Sequence, residues 1–217
     1  MPVPYAKLEN PQTLNLYSYV GNNPLSRTDP TGHYLCEGNK TNCGIVRTAL
    51  ALTKQAYDKL PADSKERAQL GKVLSAYGKE GVDNHVNVTF GGLKGYAQSV
   101  TSTANGTTTV KFDLKEMATD MAAQKANVAV ETTATVAHEG AIAFDQRQPG
   151  VDQSSRSFIH AEESHAGLAE AGIYRGFNLE SPNGYWSPAW APADAGANRD
   201  QAIQNNADRT TSIVCNA

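Results

Sequence analysis

One stretch limits what this chain can fold into more than any other: Thr132-Thr-Ala-Thr-Val-Ala-His138-Glu139-Gly140-Ala141-Ile142-Ala143-Phe144-Asp145-Gln146. At helical spacing Ala134, His138, Ile142 and Asp145 share one face, while Val136, Ala137, Ala141 and Phe144 cover much of the remainder. Its β-branched residues Thr132, Thr133, Thr135 and Val136 have modest helix propensity, so the helix must draw its stability from burial. A mostly internal helix is expected, with other elements around it. The His and Glu it carries inward need polar partners there.

The 217 residues, 40% of them apolar, suffice for one well-packed domain with a short appendage. A net charge of −3, with Lys and Arg scattered, leaves no electrostatic footprint for nucleic acid. No window approaches the ~18 consecutive apolar residues of a membrane span, and Met1-Pro-Val-Pro-Tyr5 lacks the basic and apolar regions of a signal peptide. A soluble domain is expected, and any export must be arranged by something outside this sequence.

Helical spacing of Ile45, Ala49, Leu52, Ala56 and Leu60 predicts a helix from Gly44 that Pro61 stops. A second is predicted from Asp63 as cap, with Glu66 reaching back and Leu70, Val73, Leu74 and Tyr77 as its stripe. The charges Lys65, Glu66, Arg67, Lys72 and Lys79 read as a solvated face. Strands are predicted around Val86–Phe90, Tyr96–Thr103 and Thr107–Leu114, the last two joined by Asn105-Gly106, where both residues tolerate positive φ. These make a small antiparallel sheet. Lys115–Lys125 reads as a short helix or a loop, and 146–157 as a loop.

A further helix over 157–174 carries His160, Glu163, Gly167, Glu170 and Tyr174 along one side. That stripe is either a solvated face or a second wall of ligands. The aromatic, proline-rich segment from Ser181 to Pro192 is expected to pack over the core rather than rim a cleft. A last helix is expected over about 198–211, with Val214-Cys215 as a C-terminal anchor. Cys36 and Cys43 can close a small loop, or either can tie to Cys215; the spacing fits no zinc ribbon, which favours a structural disulfide or buried thiol over metal ligation.

Residues 1–33 are of another character, with Pro2, Pro4, Pro11, Pro24 and Pro30 interrupting every periodic pattern. The run from Asn10-Pro-Gln-Thr-Leu-Asn-Leu-Tyr-Ser-Tyr to Asp29-Pro-Thr-Gly32 closely resembles the end of the RHS-repeat-associated core of bacterial YD-repeat proteins. In that family a shell of repeats encloses a variable C-terminal toxin. The resemblance implies that residues 1–33 are the tail of the core, that 34–217 are the cargo, and that the shell lies upstream. A single Asp-Pro-x-Gly element carries over none of the family's self-cleavage machinery.

A zinc-peptidase helix reads His-Glu-x-x-His, two imidazoles one turn apart holding the metal and the Glu polarising its water. Here Ile142 stands at i+4 from His138. Even so, His138-Glu139-Gly140-Ala141-Ile142-Ala143-Phe144-Asp145 resembles the His-Glu-Gly-x-His-x-x-Asp helix of zincin-like domains found at the ends of RHS proteins. Glu163-x-x-Ala166 resembles their downstream helix. The match covers about a dozen positions.

It implies an α+β, zincin-like fold, with a small antiparallel sheet packed against an active-site-type helix and several further helices. It also implies a zinc-dependent peptidase used as a polymorphic toxin: His138 first ligand, Glu139 general base, Glu163 third ligand, zinc as cofactor. A peptide or protein substrate, a cognate immunity protein and the upstream shell are the implied partners, and secretion or delivery to a target cell the implied route.

An aliphatic side chain donates no electron pair to zinc. Asp145, seven residues from His138, lies about 10.5 Å along a regular helix, too far to share an ion with it; it reads as a second-layer group or a cap. His160 and His165 are the candidates to replace the missing ligand, His160 lying one turn before Glu163. Three readings follow: a metallopeptidase with a non-standard ligand set including His160, a catalytically inactive zincin-like fold serving as a binding or structural module, and a metal-free hydrolase built on His138 and Glu139. The third is disfavoured, because no Gly-x-Ser-x-Gly elbow or Cys-His nucleophile pattern accompanies the pair.

Overall fold

The computed structural model describes residues 33–80, 85–94, 98–124, 127–191 and 193–215. Residues 1–32, which carry the repeat-family resemblance, lie outside the described residues, as does the tail assignment made on them. Eleven elements follow in order: β1 (His33–Glu37), α1 (Lys40–Lys59), α2 (Lys65–Tyr77), β2 (Lys79–Glu80), β3 (Val86–Phe90), β4 (Ser99–Ala104), β5 (Thr107–Phe112), α3 (Leu114–Gln124), α4 (Val128–Gln146), α5 (Arg156–Phe177) and α6 (Ala195–Cys215). This is a mixed α and β architecture, as expected.

The sheet is not the antiparallel one expected. Its order is β2-β1-β3-β5-β4, and every pairing is parallel except β4 with β5. The Asn105-Gly106 hairpin explains the edge: φ of 52° and 78° at the two residues folds β4 back on β5. Strand β4 therefore occupies the border, and β5 pairs in parallel with β3. The other half of the difference is β1, five residues that no alternation singles out. Tyr34 on it is nonetheless buried, and the strand pairs with β3 across Leu35–Glu37.

Helix starts are set by side-chain caps: Asn39 accepts from the Asn42 amide, Ser64 from Arg67, Asn127 from Val130 and Ser155 from Phe158. Ser64, not Asp63, caps α2. Its first turn then carries Glu66 into the interior, 1% exposed, rather than onto a solvated face. There Glu66 Oε1 accepts from Arg175 Nη1 at 2.9 Å and Arg199 Nη1 at 2.6 Å. The segment after β5 is a helix, with Asp113 Oδ1 accepting from the Lys115 and Glu116 amides.

Cys36 and Cys43 form a disulfide that ties β1 to the start of α1. Cys215 is free and exposed and Val214 is 52% exposed, so the C-terminal residues are no anchor. Ile203 and Ala207 hold α6 down instead, Ile203 in a small apolar cluster with Ala171 and Tyr185 that is separate from the main core.

Helix α4 is central, packing against α1, α2, α3, α5, β4 and β5. Val130, Ala134, Val136, Ala137, Ala141, Ile142 and Ala143 all enter the main core, which supplies the burial its weak propensity requires. Gly140 lets α2 approach: a Cβ there would stand 2.5 Å from Tyr77 Cε2 and 2.8 Å from Val73 Cγ1. Tyr77 is fully buried and donates its hydroxyl to the Val136 carbonyl, so its ring has little room to retreat. Gly140→Ala is therefore expected to destabilise the fold by about 1–3 kcal/mol, the range for overpacking, in excess of the helix propensity it gains. Chemical denaturation measures this; an unchanged or raised stability would mean that the Tyr77–Gly140 approach is not tight.

Candidate functional site

Between the start of β4 and helices α4 and α5 lies a cleft of about 310 Å³, lined by Gln98, Ser99, Glu131, Ala134, Thr135, His138, Glu139, Glu170, Pro182 and Asn183. Residues 131 and 138 lie two turns apart on α4, and residues 163 and 170 two turns apart on α5, so each helix presents a pair to the space between them. The architecture and the cleft define a mixed α/β domain with an acid-rich, helix-walled groove beside a sheet edge. No family model, no curated protein and no solved structure matches the chain.

His138 faces a carboxylate at each nitrogen and is hydrogen-bonded at Nδ1. Nδ1 lies 2.6 Å from Glu170 Oε1, and Nε2 lies 3.8 Å from Glu163 Oε2. Burial alone disfavours the charged ring. The Glu170 hydrogen bond and the charges of Glu170, Glu139 and Glu163 outweigh it and push the His138 pKa up to about 10. That shift favours an imidazolium between two carboxylates, and the Glu170 hydrogen bond links α4 to α5.

The neighbouring acids are shaped by the same crowding. Burial, opposed by His138 and assisted by Glu139 and Glu170, holds the Glu163 carboxyl above its ordinary value. Burial also raises Glu131, against a hydrogen bond from Tyr174 and with repulsion from Glu170. Next to Glu163, Glu162 is pushed to about 7, first by burial and then by Glu163, Asp145 and Glu139, although Gln146 Nε2 donates to it at 3.2 Å.

Glu139 faces the sheet edge. It is 4% exposed, and both carboxylate oxygens accept hydroxyl hydrogen bonds from β4: Ser99 Oγ to Oε1 at 2.6 Å and Thr101 Oγ1 to Oε2 at 2.5 Å. The residue expected to act as general base thus ties the central helix to the border strand.

Of the expected ligands, the structure brings His138 and Glu163 together with Glu139 nearby. His160 is placed elsewhere: its Nε2 lies 3.1 Å from Asp208 Oδ1 of α6, in a separate cavity with Arg156, Ser157 and Thr211. His160 and Glu163 stand about 60° apart around the helix, and the two side chains meet different neighbours, Asp208 and His138. His165 pairs with Asp145, Nδ1 to Oδ2 at 2.6 Å, which gives Asp145 a positioning partner instead of a metal. Ile142 is 7% exposed within the main core. Among the described residues no group of three or more His, Cys, Asp or Glu side chains is arranged to hold a metal ion.

Glu170 was expected only as a member of the α5 stripe that could form a second wall of ligands, and Glu131, Ser99, Thr101 and Asn183 were not singled out in the sequence as site residues. For two of them a signal existed. Glu131 precedes His138 by seven residues and Glu170 follows Glu163 by seven, the spacing that keeps side chains on one helix face. The β4 hydroxyls and Asn183 carry no such mark.

Proposed function

We propose that residues 34–217 form a zincin-like cargo domain of an RHS protein whose cleft binds a segment of a peptide or partner protein without hydrolysing it. One observation carries this reading: Ile142, at the position of the second zinc ligand, is built into the apolar core. A catalytic zinc site takes three protein ligands plus water; His138 and Glu163 are two, and the residues present do not fit that metal. The remaining catalytic group, Glu139, has both oxygens engaged by β4. A cognate immunity protein or the enclosing shell is the partner class this setting suggests, with delivery as part of the larger protein. Among the described residues no helix is long and apolar enough to cross a membrane.

A metallopeptidase reading retains one supporting feature. Two ligands of a tetrahedral zinc at ~2.0–2.1 Å stand about 3.3 Å apart, and Nε2 of His138 is 3.8 Å from Glu163. Its other nitrogen rests on Glu170, the carboxylate–histidine arrangement that orients metal ligands.

Zinc titration of the full chain and of Ile142→His separates the two. The natural chain is expected to hold no stoichiometric zinc, whereas Ile142→His adds the missing donor and is expected to tighten zinc binding at least about 100-fold, in line with adding a ligand to an incomplete site. One equivalent of zinc retained by the natural chain and lost in His138→Ala would overturn the non-hydrolytic reading. No gain in affinity on Ile142→His would remove the zincin-like geometry itself.

A further inference from the structure

The segment after α5 reaches the cleft and lines it with Pro182 and Asn183, and its fastenings are unlike those of the rest of the domain. From residue 181 to 186 it is a self-contained turn: the Ser181 amide donates to the Trp186 carbonyl at 2.8 Å and the Gly184 amide to the Ser181 carbonyl at 3.0 Å. Gly184 supplies the positive φ, 71°, that the turn requires. Its tip, Pro182 and Asn183, lines the cleft, and Asn183 Nδ2 donates to Glu170 Oε2 at 3.2 Å.

On its outer side Tyr185 is 4% exposed, and its hydroxyl bonds to the side chain of Asn206 on α6. The Tyr185 ring belongs to the small cluster with Ala171 and Ile203. Where α5 faces this cluster it has Gly167, and a Cβ there would meet Ile203 at 3.3 Å and Tyr185 Cζ at 3.5 Å. At its base Trp186 packs against the main core, with the Arg175 guanidinium 5.2 Å from the ring centroid.

We propose that residues 181–186 are a lid over the His138–Glu170 cleft, pivoting on Trp186 and latched by the C-terminal helix α6, so that α6 controls access to the site. Two observations give the closed position an alternative. Ser181 Oγ and Trp186 Nε1 are buried without a hydrogen-bond partner among the described residues, so neither holds the turn down through a side-chain hydrogen bond. The latch is also separable from the main core: the tip holds one carboxylate and the outer side one helix, through a three-residue cluster. A ligand that takes Glu170 Oε2 displaces Asn183 from it. Anything that shifts α6 removes the Tyr185 seat and opens the same lid. The inference requires the cleft but no particular occupant, so it stands whether or not zinc or a peptide binds there.

Hydrogen exchange on the full chain tests it, with fluorescence as a second readout because the chain's two tryptophans, Trp186 and Trp190, lie at and beside the lid. Tyr185→Phe removes only the hydroxyl that reaches α6, and Asn183→Ala removes only the tip contact. Each is expected to raise exchange at residues 183–186 by about tenfold, the effect of one lost hydrogen bond, and to increase acrylamide quenching, with α4 exchange unchanged. Exchange at 183–186 that is unaltered in both variants, or that rises only in step with α4, overturns the lid. Asn206→Ala discriminates the latch: lid opening in Asn183→Ala but in neither Tyr185→Phe nor Asn206→Ala would show that α6 does not control it and would overturn the gating.

Discussion

Glu66→Ala is expected to cost the fold about 3–5 kcal/mol, the penalty for removing one partner from a buried ion pair. Glu66 is 1% exposed at the junction of α2, α5 and α6, and its Oε1 receives both Arg175 and Arg199. The side chain of Arg199 is 8% exposed, so without Glu66 its charge keeps only the flanking Asp200. Burial pushes the Glu66 carboxyl up, but a backbone hydrogen bond and the two guanidinium groups outweigh it and leave the pKa below 4.5.

A depressed folded value contributes stability above the unfolded pKa and loses it as pH falls through the folded one. The gap between the natural chain and the variant should therefore be full at neutral pH and close only in acid, below about 4.5. Urea denaturation at pH 7 and pH 3 measures both halves. A loss below about 1 kcal/mol at pH 7 would place Glu66 with exposed surface pairs and contradict its buried role. Because Arg199 lies on α6, the same variant should loosen that helix first.

Glu66 also shows where sequence reading ended. A capping role and a solvated face were both reasonable for a Glu in a first helical turn, since local spacing is all that a sequence displays. Its actual partners lie 109 and 133 residues away. The same division runs through the fold. Helices were legible because 3.6-residue periodicity and caps are local, and the hairpin was legible because Asn105-Gly106 is a local conformational requirement.

Strand β1 and the parallel pairings were not legible, because pairing partners are set by which strand the hairpin displaces to the border. At the site, the pairing of His138 with Glu163 was implied by the family resemblance, while helix periodicity alone left the Glu163 stripe open between a solvated face and a wall of ligands. The Glu170 contact and the Glu139 hydroxyl clasp were not legible, since polar satisfaction depends on how helices and strand meet. His160 failed for the reverse reason: it shares a stripe with Glu163 on paper, yet α6, whose extent from Ala195 to Cys215 exceeds the expected span, offers it Asp208.

The clearest consequence of the site geometry is His138→Gln, expected to destabilise the domain by about 1.5–3 kcal/mol at pH 6, the range for a hydrogen bond to a charged group. The His138 ring lies between Glu163 and Glu170, and its loss leaves these two carboxylates of α5 without the ring of α4 between them, with Glu131 and Glu139 close by. The pH dependence gives the charge state independently. The folded His138 pKa of about 10 lies above the ordinary value of 6.5. A raised folded pKa contributes stability that is complete below the unfolded value and disappears as pH rises through the folded one.

The difference between the natural chain and His138→Gln should thus be largest near pH 6 and shrink steadily towards pH 10. A neutral, metal-ready imidazole would behave otherwise, with a difference nearly flat above pH 7. Denaturation curves at pH 6, 8 and 9.5 distinguish the two, and NMR titration of the ring protons checks the assignment directly. A ring that titrates near 6.5 would contradict the imidazolium bridge and return His138 to the role of a ligand, with Nδ1 donating to Glu170 and Nε2 free to coordinate. A ring that stays charged through pH 8 must give up its proton before zinc can bind, so protons compete with any metal at His138 at neutral pH, and on the proposed zincin-like reading Ile142 supplies no further donor to tip that competition towards zinc.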